Sequence, residues 1–289
     1  MTNSSHHIYL SPHYDDASLS CGGAIHQQTQ AGQSALVITI CAAPPQLDEP
    51  FSPFAESLHR SWGNPTDIVA ARQVEDKLSM EILEADYLRL NFTDCIYRGQ
   101  PQQAKWYYNN DPELFGSIHP DDLPLSQNIA ATLLEQVAVG AEPMIYAPLG
   151  VGHHVDHQLV HGVAWLLRQQ GWLIAFYEDY PYADPDSRFA AKGWDRYSLA
   201  ATLAAQPAVN QPQLRFFSEE NLQAKIDSVR AYTSQLETLF GGEIAMENQL
   251  RRYALHIGAG RLAERIWVPS STFSVERYLT SDNSAITGK

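Results

Sequence analysis

Five short apolar runs recur in the first 180 residues, most of them separated by stretches with helical spacing. Residues 7–10 are a strand candidate, and Ala35-Leu36-Val37-Ile38-Thr39-Ile40-Cys41 is a near-continuous apolar run rich in β-branched side chains. Such a run reads as a parallel strand buried on both faces. Between them a helix is expected from residue 17 or 18 to about residue 30, with Gly32 as its stop signal. Strand, helix and strand in this order make a βαβ unit with a right-handed crossover. Residues 42–65 are rich in Pro and Ser without a clear period and read as a long loop. Thr66 is expected to cap a helix over 67–84, with Ile68, Ala71, Val74, Leu78 and Ile82 at core-facing spacing. A third strand is expected over 87–92, and 95–126 reads as a polar, aromatic insertion or lid. Residues 128–139 read as a helix and 143–148 as a fourth strand. A helix to about residue 170 and a fifth strand over 172–177 follow.

Past residue 190 the pattern changes. Residues 194–217 suit antiparallel strands, and 219–240 suit an amphipathic helix with Leu222, Ile226, Val229, Tyr232 and Leu236 on one face. Residues 244–262 read as helical, broken near Gly258. The fold class expected is α/β: a three-layer sandwich with a mostly parallel sheet and an α/β C-terminal extension. One domain is expected over 1–289, with its core at about 5–180 and the extension at about 190–289. In such sheets ligands bind beyond the carboxyl ends of the strands, at a topological switch point. The polar clusters after strands one, three, four and five all fall at that edge.

Composition narrows the partners. A net charge of −14, from 33 acidic and 19 basic residues, repels nucleic acid and anionic membranes at long range. No nucleic-acid partner and no membrane span are expected. Three cysteines without a C-x-x-C pattern imply neither a disulfide framework nor a zinc–thiolate site. With no secretory signal at the start, a cytoplasmic location is expected.

Two clusters carry candidate chemistry. His13, Asp15 and Asp16 share one turn after a buried strand, and carboxylates brought together there need a cation. Imidazole and carboxylate suit Zn2+, with Fe2+ an alternative. The competing reading is a solvated loop with an Asp capping the next helix. The second cluster is His153-His154-Val155-Asp156-His157. His154 and His157 can share one side of a helical turn and supply the missing ligand. His161 could join them, but His153 and His161 are expected to be structural. Asp156 is expected either to orient a histidine as an outer carboxylate or to cap the helix.

Pro12-His13-Tyr14-Asp15-Asp16, followed by Gly22-Gly23, resembles the P-H-P-D-D motif of the LmbE-like/PIG-L family of N-deacetylases, and His154-Val155-Asp156-His157 resembles that family's H-x-D-H motif. The resemblance implies a Rossmann-like sandwich, metal ligands His13, Asp16 and His157, Asp15 as the general base that activates water, and His154 as the oxyanion-stabilising histidine, taken here as protonated. Arg72 with Glu75 resembles an R-x-x-E helix of the family, making Arg72 a candidate substrate contact, as Asp94 is. Two departures stand out: Tyr14 replaces the usual second Pro, placing a phenol at the site rim as a further candidate contact, and Ala17 replaces a frequent Glu.

The function so implied is zinc-dependent removal of acetyl from an N-acetylated amino sugar, of the N-acetylglucosamine glycoside, lipid or cofactor-precursor type. The alternatives are a metal-dependent phosphoesterase, with Asp94, Glu178 and Asp179 as extra ligands, and a non-catalytic α/β binding protein. A dinucleotide site is disfavoured, because Cys21-Gly22-Gly23 lies within the first helix and is not G-x-G-x-x-G. Trp106, Tyr107 and Tyr108 could stack on a sugar or merely anchor the insertion.

Overall fold

The computed structural model describes residues 7–46, 49–63, 67–137, 143–190 and 198–270. A seven-stranded sheet has the order β3-β2-β1-β6-β7-β9-β8, made of β1 (His7–Ser11), β2 (Ala35–Thr39), β3 (Asp86–Arg89), β6 (Met144–Pro148), β7 (Leu173–Tyr177), β8 (Val209–Phe216) and β9 (Ala263–Pro269). The first five pair in parallel, and β9 is antiparallel to both β7 and β8. The two short strands β4 (Gly99–Gln100) and β5 (Lys105–Trp106) form a separate hairpin inside the insertion.

The pleat sorts side chains between two helical layers. Ile8, Leu10 and Ile38 face Ile129 of α5 (Leu125–Gln136) and Val160 and Val163 of α6 (Val155–Gln169). Their neighbours Tyr9 and Val37 face Ala17, Cys21 and Ile25 of α1 (Asp16–Gln30) and Met80 and Leu83 of α3 (Ile68–Leu83). Residues one apart on a strand point to opposite faces, so both faces are apolar and covered.

Several expectations need correction. The 42–65 stretch holds α2 (Pro53–Ser61), capped by Ser52 and opened by Pro53, a helix hidden by the surrounding prolines. Thr66 lies outside the described residues, and the side chain that caps α3 is Asp67, which accepts from Ala70 N. The buried stripe of α3 is Val69, Arg72, Asp76, Ser79, Met80 and Leu83, while Val74 and Leu78 are exposed. Apolar periodicity misjudged this face because it packs against α1 and the site with polar groups, as the Ser18–Ser79 hydroxyl pair at 2.9 Å shows.

In the C-terminal part, α7 (Leu199–Ala205) precedes β8, and the expected helix over 219–240 is two, α8 (Glu219–Arg230) and α9 (Thr233–Phe240). All five residues expected on its apolar face are buried. After α10 (Glu243–Ile257), β9 was not foreseen. Its sequence AERIWVP mixes charge with apolar residues, because Glu264 and Arg265 pair with other buried groups.

Candidate active site

Strands β1 and β6 are neighbours, yet the chain leaves β1 toward β2 on one side and β6 toward β7 on the other. Their carboxyl ends therefore flank the switch-point crevice, and both sequence clusters begin there.

The turn after β1 is held by Ser11, whose hydroxyl donates to His13 O (2.5 Å) and accepts from Ala17 N (3.0 Å). Asp15 occupies the N-cap position of α1, but its side chain makes no capping hydrogen bond. Its carboxylate instead meets Arg72 Nη2 at 2.8 Å, with both side chains about nine-tenths buried. The helix-cap alternative for this turn is therefore not what the structure adopts. Asp16 Oδ2 accepts from His13 N at 2.8 Å and lies 3.2 Å from His13 Nδ1, while Oδ1 lies 3.3 Å from His157 Nε2. Asp16 thus stands between His13 and His157, one oxygen toward each.

The turn after β6 needs positive φ at Gly150, Gly152 and His153. At Gly152 a Cβ would also meet the Tyr182 ring at 2.5 Å, so only glycine serves. This turn presents His154 as the N-cap of α6: its Nδ1 accepts from Asp156 N at 3.2 Å. Asp156 is thus not the cap. It is fully buried and lies 3.0 Å from His13 Nε2, while also accepting from Cys95 N at 3.1 Å and from Arg98. On the other side, Asp179, just past β7, meets His157 Nδ1 at 2.6 Å. The result is a row, Asp156–His13–Asp16–His157–Asp179, in which each histidine has Asp16 at one nitrogen and an outer carboxylate at the other.

The electrostatics follow from this crowding. Burial opposes charge on His13, but Asp94, Asp156 and Asp16 outweigh it and hold its pKa well above the usual imidazole value. Burial also opposes charge on His157, and Asp16 and Asp179 nevertheless push it up to about 9. Asp16 is held well below the carboxylate range, since the attraction of His157 and His13 exceeds its desolvation. For Asp15 burial wins and raises the pKa, even against Arg72. His154 goes the other way: burial, then repulsion from His13 and His157, drives it well below 6.5. Its Nδ1 accepts the backbone N–H of Asp156, which leaves Nε2 as the nitrogen free to face the crevice.

The donor set fits a divalent cation. Five carboxylates, those of Asp15, Asp16, Asp94, Asp156 and Asp179, face two guanidinium groups, Arg72 and Arg98. Ligand atoms of His13, His154 and His157 also lie within 4.8 Å of one another. Two other metal-capable groups among the described residues, Cys95–His154–Asp156 and His13–Asp94–Asp156, share Asp156, whose oxygens already serve Arg98, Cys95 N and His13.

The remaining candidates divide. Arg72 holds Asp15 and keeps a buried Nε without a hydrogen-bond partner. Glu75 faces away and receives Ser234 N and the Thr233 and Ser234 hydroxyls at the start of α9. Asp94 lies at the rim, 3.7 Å from His13 Nε2. Tyr14 does not reach the rim: its ring is buried near Arg72 and Arg89, and its hydroxyl donates to Ala42 O at 2.9 Å. His161 is structural, bonded to Pro148 O and Trp165 Nε1. Glu178 is engaged by Tyr253, Arg265 and Trp267 and is no ligand. Tyr108 is buried on Asp122, whereas Trp106 and Tyr107 line a cavity of about 410 Å³, together with Phe51, Tyr97 and Asp121. Sequence reasoning missed Arg98, which joins Asp156 to Asp122 from inside the insertion. A lone arginine in a polar stretch carries no signal of its partners.

The fold and the crevice define an α/β protein with a cluster of metal-capable side chains at its switch point. The chain belongs to the PIG-L family, GlcNAc-PI de-N-acetylase, which it matches over residues 8–167. It is 27% identical over 252 residues to the 2'-N-acetylparomamine deacetylase of Niallia circulans, covering 82% of each chain. It is 29% identical over 179 residues to the 2'-N-acetylparomamine deacetylase of Streptomyces fradiae, covering 61% of this chain and 57% of that one. Among solved structures it resembles the zinc-inhibited form of a teicoplanin deacetylase, with a TM-score of 0.71 and 24% identity over 92% of this chain and 99% of that one.

Proposed function

We propose that the protein is a zinc-dependent N-deacetylase that hydrolyses the acetamide of an N-acetylated amino sugar. The observation that carries this reading is the convergence of His13 Nδ1, Asp16 and His157 Nε2 beside an acidic side chain, Asp15, that is tied to Arg72 instead of to those histidines. His13, Asp16 and His157 are the residues that would hold a divalent ion, a donor set of the kind found in catalytic zinc sites. Such an ion would supply a lowered pKa for water and a polarised amide carbonyl. Family membership and two relatives named as 2'-N-acetylparomamine deacetylases support deacetylation of an amino sugar. The zinc-inhibited teicoplanin deacetylase ties a protein of this fold to zinc.

The chain's own groups then have distinct tasks. Asp15, oriented by Arg72, accepts the proton of the attacking water and returns it to the leaving amine. His154 donates its Nε2–H to the developing oxyanion. Asp94, at the rim, would receive a sugar hydroxyl, whereas Arg72, whose Nε is buried, acts through Asp15. The cavity lined by Trp106 and Tyr107 offers aromatic faces for the rest of the molecule. Phosphoester chemistry with two metals is disfavoured, because Asp179 and Glu178 already spend their oxygens on His157, backbone N–H groups and the Tyr253, Arg265 and Trp267 side chains.

The test is acetate release from a panel of N-acetylglucosaminides and 2'-N-acetylparomamine, with chelated protein and protein reloaded with zinc, iron(II) or cobalt. Metal-dependent release from at least one substrate is expected. No release from any of them, with metal bound, would overturn the reading.

A further inference from the structure

We infer that Asp179 is the positioning residue that fixes His157 for metal binding, an inference that rests on the metal-dependent reading above. Asp179 follows β7, two strands away from the His13 turn, and its side chain is fully buried. Both of its oxygens are in use. Oδ1 lies 2.6 Å from His157 Nδ1, and Oδ2 accepts from Gly150 N at 2.8 Å and Val151 N at 2.9 Å.

The tautomer follows from that accounting. A carboxylate that already receives two backbone N–H groups is an acceptor, so His157 Nδ1 carries a hydrogen toward it and Nε2 is the nitrogen left to bind metal beside Asp16. The same two backbone bonds hold the start of the turn that carries His154 and His157, where Gly150 has φ +88°. One carboxylate therefore sets both the ring's tautomer and the position of its backbone. Asparagine cannot replace it, because an amide has one acceptor oxygen where this site needs two. In Asp179→Asn, either the turn loses its acceptor or an N–H group faces His157 Nδ1 and reverses the tautomer.

Outer-shell partners of this kind are worth about 10–100-fold in metal affinity. The experiment is a zinc titration of metal-free protein in competition with a chromophoric chelator, with no substrate present. Asp179→Asn is expected to weaken zinc about 10–100-fold. Glu264→Gln, which removes a buried carboxylate outside the site, is expected to change it less than about twofold. Asp179→Asn binding zinc within twofold of the wild type overturns the inference, as does an equal loss in Glu264→Gln. A second arm needs no variant: in zinc-loaded wild-type protein the imidazole ¹⁵N spectrum should show His157 protonated at Nδ1. Protonation at Nε2 overturns the inference even if Asp179→Asn fails to fold. Neither arm uses catalysis, so absent acetate release would count against the proposed function alone.

Discussion

Two buried polar clusters touch α1, one at its first residue Asp16 and one at Gly23 and Ala24, and they spend their charges differently. In the C-terminal cluster Lys225 Nζ meets Glu264 Oε1 at 2.6 Å, and the Glu264 oxygens also accept from Gly23 N and Ala24 N. Gly22 of α1 makes room for this: a Cβ there would meet Lys225 Cγ at 3.0 Å. One cation faces one anion, and each oxygen has a donor. At the crevice, by contrast, carboxylates outnumber guanidinium groups, Asp16 lies between His13 and His157, and ligand atoms of His13, His154 and His157 lie within 4.8 Å of one another. Buried charge alone does not mark a site, since both clusters have it. Ligand capacity left over after the protein's own bonds are made is what separates them.

The sharpest way to break this contrast is to remove a ligand. His157→Ala should lose bound metal and drop activity to background; metal analysis of the purified variant checks it, and unchanged metal content would reject the ligand role. Asp15→Asn should keep the metal but lose about 10²–10⁴-fold in turnover. A variant with full activity would remove Asp15 from its role as base. The closed cluster should answer in stability only. Glu264→Gln leaves Lys225 buried without its counter-ion and should cost about 3–5 kcal/mol by denaturant titration, while the metal content per folded chain stays the same.

The smallest effect is a pH dependence outside both clusters. His161 is fully enclosed, and burial lowers its pKa from 6.5 to about 4, partly offset by its bond to Pro148 O. Between those values the unfolded chain takes up a proton that the folded one refuses, so this stability is complete above pH 6.5 and is lost as pH falls toward 4. The loss is at most about 3 kcal/mol from this group. NMR should find its imidazole neutral down to pH 5, and titration near 6.5 would contradict the burial argument.

Local pattern made much of this legible. The apolar β-branched run at 35–41 marked a strand covered on both faces, and the two polar turns following strands marked the crevice edge. His13, Asp15, Asp16, His154 and His157 were all nameable because each motif is short and continuous. Tyr14 was misplaced, since sequence alone does not say whether a residue beside two aspartates points out to the rim or inward toward Ala42 O. The polar face of α3 and the charged strand β9 were misread for a related reason: their polar residues find partners far along the chain, and a periodicity search counts them as solvent-facing.

The sequence by itself determined the α/β class, the PIG-L resemblance and the chemical types gathered in the two turns, because these depend on residues within a few positions of one another. Only the tertiary structure decided which groups meet. Arg72 reaches Asp15 across 57 positions, Arg98 reaches Asp156 across 58, and His13 reaches Asp156 across 143. Such pairings exist because the sheet order sets β1 beside β6, and buried ions must then settle their charges with whatever the fold brings near. Asp179 was one of several acidic residues at a strand end until the fold set its oxygens against His157 and the turn after β6.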